Sequence, residues 1–111
     1  MNGDRLLLAL SALANPHRLR IIATLAGGST YVSQLARDLQ LSRPLLHMHL
    51  QRLEAAELVE GHLEFSDDSK AMRYYAVTDF AISLDATTIA EATRSLTPPE
   101  PGAGRTRGKK K

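Results

Sequence analysis

Polar side chains with hydrogen-bonding heads recur at a four-residue spacing near the middle of this chain. Arg43, His47 and Gln51 occupy every fourth position, and residues at this spacing share one strip of an α-helix. Arginine and glutamine form paired hydrogen bonds with guanine and adenine, and a neutral histidine both donates and accepts. The strip therefore has the chemistry that reads the edges of DNA bases.

The opposite strip of the same segment is apolar. Leu46, Leu50 and Leu53 fall at helical spacing and predict that one face of this helix is anchored in a core. An arginine on a helix is more often simply solvated, and the same alternative holds for His47. The position of the polar strip opposite the anchoring leucines favours recognition over this alternative.

The histidines and the lack of cysteine limit other chemistry. His47 and His49 are two residues apart, about 200° around a helix, so they cannot bind one metal ion together. We expect His49 to be structural or to contact a phosphate. The chain has no cysteine, which excludes disulfides, thiolate metal sites and a cysteine nucleophile. Because no nucleophile is paired with a base and no glycine-rich phosphate loop is present, we expect no enzymatic activity, metal or cofactor.

Apolar periodicity predicts four helices in the N-terminal half of the chain. Asp4 is placed to cap the first, an apolar helix that needs more than one packing partner. The second covers residues 16–26, since a proline suits its first turn. Ser29 or Thr30 opens a short third helix, and Ser42 is placed to cap the fourth.

The C-terminal half begins with a pattern typical of strands. Residues 58–77 alternate apolar and charged side chains around the turn sequence SDDSKA, which predicts a two-stranded hairpin. Phe80, Ile82 and Leu84 keep a period of two and suggest a further short extended piece. Asp85 is placed to cap a last helix.

The positive charge of the chain lies at its C-terminal end. The 111 residues carry a net charge of +2, and five cations fall within the last seven residues. Without these five the rest of the chain carries −3, so net charge gives no support for nucleic-acid binding by the folded part. We expect one folded domain over residues 1–96 and a disordered basic tail over residues 97–111. The tail would add sequence-independent affinity for DNA or serve only as a solubilising end.

A short apolar run lies near the N-terminus, directly after Asp4 and Arg5. It is far shorter than the roughly 20 residues that span a bilayer, and we interpret it as part of the first helix. We therefore expect a cytoplasmic protein with no membrane partner.

The second, third and fourth helices are followed by the hairpin. Three helices followed by a hairpin is the layout of a winged helix-turn-helix domain. The segments ANPHRLRIIATL, YVSQLARDLQLSRPLLHMHLQRLEAAELVEG and MRYYAVT resemble the ArsR family of bacterial and archaeal repressors over residues 10–78. The most specific part of the resemblance comprises Leu35-Ala36, Leu39, Leu41-Ser42, His49-Leu50, Leu53-Glu54 and Leu58-Val59. The resemblance implies a mainly α fold with a β-hairpin wing, which dimerises through its N- and C-terminal helices.

Several departures from the family limit what the resemblance implies. Family members often have glycine at the position of Glu57. The cysteine motif of metal-sensing members is replaced by YVSQ at residues 31–34, and residues 85–96 lack the histidines of the other known metal site. Neither metal site is therefore expected. Asp67 and Asp68 at the tip of the wing would repel phosphates unless they turn away.

The first and last helices carry apolar residues that a domain of this size cannot cover alone. The resemblance assigns these two helices to the dimer contact. We predict that the interface includes Leu6, Leu7, Leu10, Ile89, Ala92 and Leu96.

The resemblance also implies that the fourth helix enters the major groove and that the wing lies along the DNA backbone. The residues expected to contact DNA are Arg43, Pro44, His47, Met48, Gln51 and Arg52 on the fourth helix, Gln34 and Arg37 on the third, Arg18 on the second, and Lys70 and Arg73 on the wing. We therefore expect a homodimeric, sequence-specific regulator of transcription that binds double-stranded DNA, most simply a repressor.

One alternative function is consistent with the same fold. A winged helix can bind a protein partner in place of DNA, and the acidic body and acidic wing tip favour that alternative. The sequence also leaves open whether a small-molecule or protein effector controls the domain.

Overall fold

The computed structural model describes residues 1–99, and residues 100–111 with the cations of the expected tail lie outside them. The described part contains five helices and three strands in a mainly helical arrangement. The elements are α1 (Gly3–Leu13), α2 (Pro16–Ala26), β1 (Thr30–Tyr31), α3 (Val32–Leu39), α4 (Arg43–Ala55), β2 (Val59–Phe65), β3 (Ala71–Val77) and α5 (Ala86–Thr93). Within these residues, none of the helices has the length and apolar character needed to cross a lipid bilayer.

Two helix starts confirm the predictions made from capping residues, and a third confirms the prediction made from Pro16. Asn15 caps α2 ahead of Pro16, and the Ser42 side chain accepts a hydrogen bond from a first-turn amide of α4. Asp85 caps α5 in a reciprocal capping box with Thr88. Each cap satisfies amides that the helix itself leaves unpaired, so these starts are encoded locally.

The prediction for the start of α1 was wrong. Asn2, not Asp4, caps this helix by accepting from the Arg5 amide. Asp4 lies in the first turn, where its carboxylate accepts from the Thr97 amide at 2.9 Å and from the Thr97 hydroxyl. These hydrogen bonds lower the pKa of Asp4. Because Thr97 is held against α1, ordered contacts continue to this residue, where the tail was expected to begin.

The N-terminus of α1 packs directly on α5. A Cβ atom on Gly3 would come within 2.2 Å of the Ala92 carbonyl oxygen, and the Gly3 amide donates to the Ser95 hydroxyl at 2.9 Å. Only glycine permits this approach of a backbone to a helix. The first and last helices are therefore held side by side.

The third helix begins later than predicted because a short strand precedes it. Thr30 and Tyr31 pair antiparallel with Tyr75 and Tyr74 of β3, and α3 starts at Val32. The sheet has the order β1-β3-β2. A two-residue strand has no periodicity of its own, so its formation depends on the partner strand.

The predicted hairpin is confirmed, and the extended piece after it forms no strand. β2 and β3 pair in register from Val59 opposite Val77 to Phe65 opposite Ala71. Residues 78–84 have no regular structure, although Phe80 and Ile82 pack half-buried against the core.

The core holds α4 by the leucine face that the sequence predicted. Leu46, Leu50 and Leu53 are fully buried, and the polar strip on the other side of α4 is exposed. The other largest fully buried side chains are Ile21, Leu25, Leu35 and Leu58. Burial of this set fixes the rotation of α4 about its axis and therefore the direction of its polar strip.

The turn after α4 is closed by a residue in a left-handed conformation. Glu57 has a φ of 63°, a region that costs a residue with a Cβ atom relative to glycine. Glu57→Gly should therefore raise Tm by roughly 4 °C. The exposed ion pair with Arg5, at 2.5 Å, would be lost with little effect on stability.

Thermal unfolding followed by circular dichroism measures this effect. Glu60→Gly is the matched control, because Glu60 lies inside β2, where glycine weakens a strand. The control should lower Tm, and a fall in Tm for Glu57→Gly as well would contradict the argument from left-handed strain.

Candidate nucleic-acid interface

An open cleft lies between α4, the start of α3 and the wing, with a volume of about 530 Å³. Its cations come from two separate elements, Arg43 from α4 and Lys70 and Arg73 from the wing. The full set of lining residues is Tyr31, Val32, Ser33, Arg43, His47, Leu63, Lys70, Ala71, Met72 and Arg73. No carboxylate is among these lining residues, so the cleft is a positive surface.

The α4 side of the cleft belongs to the polar strip predicted from the sequence. Arg43 and His47 line the cleft, while Gln51 is exposed one turn further along the helix. The remaining predicted contacts on this helix, Pro44, Met48 and Arg52, are also exposed. One part of the exposed side of α4 therefore forms a wall of the cleft, and the other part is free to contact a binding partner outside the cleft.

The wing side of the cleft holds Arg73 in a defined orientation. Its Nε lies 3.5 Å from the Tyr75 hydroxyl, and its guanidinium carbon lies 5.8 Å from the centroid of the Tyr75 ring. The Tyr75 hydroxyl in turn donates to Glu54 at 3.5 Å. The contact with Tyr75 raises the pKa of Arg73, so this cation is both charged and partly fixed.

The acidic tip of the wing does not line the cleft. Asp68 accepts a hydrogen bond from the Ser66 hydroxyl, which lowers the pKa of Asp68 and turns its carboxylate back onto the turn. Neither Asp67 nor Asp68 is among the residues of the cleft. The repulsion of phosphates that the sequence suggested is therefore absent from the cleft itself.

The two α3 residues predicted to contact DNA interact with one another. Arg37 donates to the Gln34 side chain at 2.7 Å, and Gln34 donates to Asp38 at 2.8 Å. Neither lines the cleft. The first turn of α3 lines it instead through Val32 and Ser33, which the sequence did not single out because the start of this helix was misplaced.

The first turn of α3 reaches the cleft without a side-chain cap. The capping residue, Tyr31, makes no side-chain hydrogen bond to the helix. The first amides of the helix therefore have no side-chain acceptor from the cap. Such amides suit an oxyanion, in keeping with the cations opposite.

Arg18 lies apart from the cleft, against the buried face of α4. Its Nη1 is 3.4 Å from Nδ1 of His49, which is 3% exposed. The expectation of a structural role for His49 agrees with this burial, and a direct contact between His49 and DNA does not. Burial, followed by the positive charges of Arg18, His17 and Arg52, lowers the pKa of His49.

Four carboxylates line a different cleft at the other end of the hairpin. This second cleft has a volume of about 490 Å³, and its acidic residues are Glu54, Glu57, Glu60 and Asp79. It adjoins the start of β2 and the end of β3, whereas the cationic cleft adjoins the tip. These four carboxylates therefore lie outside the lining of the cationic cleft.

A third surface is an apolar groove of about 160 Å³ between α1 and α5. Two of its residues stand out, since Leu7 is 56% exposed and Ile89 is 45% exposed. It contains all six residues predicted for the dimer contact, Leu6, Leu7, Leu10, Ile89, Ala92 and Leu96, together with Gly3 and Thr93. The groove has no charged side chain among its lining residues, as expected of a surface that another protein covers.

Comparison with known proteins places this geometry in a family. The family described as bacterial regulatory protein, arsR family, matches residues 15–61. An uncharacterized HTH-type transcriptional regulator of Methanocaldococcus jannaschii is 39% identical over 74 residues, which is 67% of this chain and 77% of that protein. An HTH-type transcriptional regulator of Mycobacterium tuberculosis is 47% identical over 51 residues, which is 46% of this chain and 48% of that protein.

A solved structure extends the similarity beyond the matched segment. The homodimeric winged helix-turn-helix DNA-binding domain of a possible ArsR-family regulator from Mycobacterium bovis has a TM-score of 0.58 and 25% identity to this chain. The similarity covers 79% of this chain and 70% of that one. Sequence, fold and the relatives agree, and this chain belongs to the ArsR family of winged helix-turn-helix transcriptional regulators.

Proposed function

We propose that this protein is a homodimeric repressor that binds a specific operator sequence in double-stranded DNA. The observation that carries the proposal is the cleft between α4 and the wing, which gathers Arg43, Lys70 and Arg73 and has no carboxylate in its lining. Repression needs nothing beyond occupancy of a promoter. We propose neither an enzymatic activity nor a metal for it, and the cytoplasm is the compartment in which it would act.

The dimensions of α4 fit the major groove. Its 13 residues span about 20 Å at 1.5 Å per residue, and a groove about 12 Å wide admits one helix. With the leucine face buried, the strip of Arg43, His47 and Gln51 is the face presented to base edges. Pro44, Met48 and Arg52 would lie beside this strip against the groove walls.

The cleft would then receive one DNA strand between α4 and the wing. Lys70 and Arg73 would contact its phosphates, with the amides of the α3 start as further donors. Arg18, Gln34 and Arg37, which lie outside the cleft, would contact phosphates flanking it. The acidic cleft at the far end of the hairpin would face away from the DNA, so an acidic body is compatible with binding.

Two copies would pair through the apolar groove between α1 and α5. The related domain of Mycobacterium bovis is described as homodimeric, and a two-fold axis uses the same patch on both copies. The two α4 helices would then enter successive major grooves about 34 Å apart, so the operator should be palindromic. An effector that controls the dimer has no support in the geometry, and we propose none.

Binding to DNA at two salt concentrations tests this function. A duplex selected from a random library should bind more tightly than a scrambled duplex of the same composition. The three cleft cations of each protomer, six per dimer, should by themselves lower the affinity on the order of 10³-fold between about 50 and 200 mM salt, and the flanking contacts of Arg18 and Arg37 would add to this fall.

The alternative of a protein-binding winged helix predicts a different result. Leu63 and Phe65 on the wing are 56% and 72% exposed, and this apolar surface is the feature that favours a protein partner. If no duplex is selected and no DNA binds at the lower salt concentration, the DNA-binding proposal fails and this alternative replaces it.

A further inference from the structure

His49 is the one buried polar residue among residues 1–99. It lies on the leucine face of α4, three residues after Leu46 and four before Leu53, and points away from the polar strip. A leucine at this position would extend the apolar face without the cost of desolvating an imidazole. A histidine at this position therefore lowers the stability of the core, and stability does not explain its presence.

The contacts of His49 lie on α2. Nδ1 of His49 is 3.4 Å from Nη1 of Arg18, and the His17 ring centroid is 5.3 Å from that of His49. Since Nη1 is always a donor, His49 accepts at Nδ1 and carries its proton on Nε2. Nε2 of His49 and Nε of Arg18 are both buried without a partner in the described structure.

These contacts restrict Arg18 more than a surface arginine is usually restricted. Its Nε is buried and its Nη1 lies 3.4 Å from Nδ1 of His49, so Nη2 and the second N–H of Nη1 are left for an external acceptor. A guanidinium held in one orientation loses less conformational freedom when it binds a phosphate. The buried imidazole therefore acts on the very arginine that was predicted to contact DNA.

We propose that His49 is a positioning residue, whose neutral imidazole holds the guanidinium of Arg18 in the orientation that binds a DNA phosphate. The inference rests on the proposed function and deepens it by assigning a role to a residue that DNA never touches. It also explains the polar residue in the core, because stability is exchanged for orientation of a binding group.

The charges around His49 require it to be neutral. Arg18 and His17 face it from α2, and Arg52 acts on it from its own helix. All three are cationic or can become so, and a protonated imidazole would repel the guanidinium it holds. Burial and these charges lower the pKa of His49 from its usual value of 6.5, which keeps it neutral at physiological pH.

His49→Leu separates positioning from structural support. A purely structural residue should lose stability and DNA affinity together, whereas this variant should keep or raise Tm and bind the operator roughly tenfold more weakly. The free energy of unfolding of the wild type should also decrease as pH is lowered. Because the pKa of His49 is lowered in the folded state, this part of the stability is present above about pH 6.5 and is lost as pH falls through the folded-state pKa. The leucine variant should lack this loss.

A double-mutant cycle with Arg18→Ala gives the second measurement. Arg18→Ala should weaken binding about tenfold in the wild type and little further in His49→Leu, because the arginine is no longer positioned there. His49→Asn places an amide oxygen near the position of Nδ1 and should restore most of the affinity. Arg20→Ala is the charge-matched control on the exposed side of α2 and should bind DNA nearly as the wild type does.

Three outcomes would overturn the inference while leaving the proposed function intact. They are wild-type affinity in a folded His49→Leu, equal effects of Arg18→Ala in both backgrounds, and no recovery in His49→Asn. If His49→Leu does not fold, Arg18→Ala alone can still overturn the inference, because wild-type affinity in that variant would show that Arg18 binds no phosphate. Failure of the proposed function itself gives a different result, since the wild type would then bind no duplex.

Discussion

A protein carrying both Leu7→Glu and Ile89→Glu should be a monomer. Leu7 and Ile89 are half exposed on the two walls of the apolar groove between α1 and α5. In a two-fold dimer both substitutions would occur in each protomer, so four carboxylates would enter one apolar contact. Burial of unpaired charges costs far more than the groove contact provides.

Size-exclusion chromatography with light scattering measures this directly. The wild type should have about twice the 12.1 kDa mass of one chain, and the double variant the mass of one. Leu19→Glu is the control, because Leu19 is 54% exposed on α2 and lies outside the groove. A double variant that keeps the dimer mass would show that the interface lies elsewhere.

The monomer should also lose most of its affinity for the operator. Pairing of two half-sites makes the second contact intramolecular, which raises overall affinity by about 10² or more. The double variant retains the cleft and α4, so it should still bind DNA with the same salt dependence per protomer. Loss of affinity with an unchanged fold by circular dichroism would link the groove to function.

The helices could be predicted because their signals are local. The caps Ser42 and Asp85, the proline at the start of α2 and the leucine spacing of α4 all lie within a few residues of the structure they specify. The misplaced start of α1 has the same origin, since Asn2 and Asp4 are both good capping residues and lie two positions apart. When two nearby residues can both cap a helix, the local sequence does not identify which of them does so.

The remaining features depend on contacts between distant parts of the chain. β1 exists only because Thr30 and Tyr31 meet β3, which lies more than forty residues further along the chain. The pairing of Arg18 with His49 joins positions 31 residues apart. The gathering of Arg43, Lys70 and Arg73 around one cleft likewise depends on how the wing lies against α4 and not on composition. Local propensity carries no information about such pairings.

The last prediction concerns how α4 and the wing divide recognition between them. Gln51 is exposed on the polar strip but lies outside the cleft, so it is free to face base edges. Lys70 lines the cleft from the tip of the wing, where phosphates are the expected contact. Arg43 shares both surfaces and should contribute to both effects, with His47 and Arg52 adding to sequence choice.

Gln51→Ala should therefore reduce the preference for the operator over a scrambled duplex by about 1 to 3 kcal/mol per half-site. Its salt dependence should stay that of the wild type, because no phosphate contact is removed. Lys70→Ala should weaken binding to both duplexes about equally and lower the salt slope by roughly one unit per protomer. Arg43→Ala should reduce both the preference and the slope.

Fluorescence anisotropy with the two duplexes over a series of salt concentrations gives all of these quantities. Arg20→Ala controls for loss of one positive charge away from the cleft, and circular dichroism controls for folding. If Gln51→Ala and Arg43→Ala fold and bind every duplex as the wild type does, α4 is not the recognition helix. An equal loss of preference in Lys70→Ala would instead show that the wing reads sequence. The proposed binding mode does not predict this result, because the cleft cations would contact a strand backbone that is the same at every base pair.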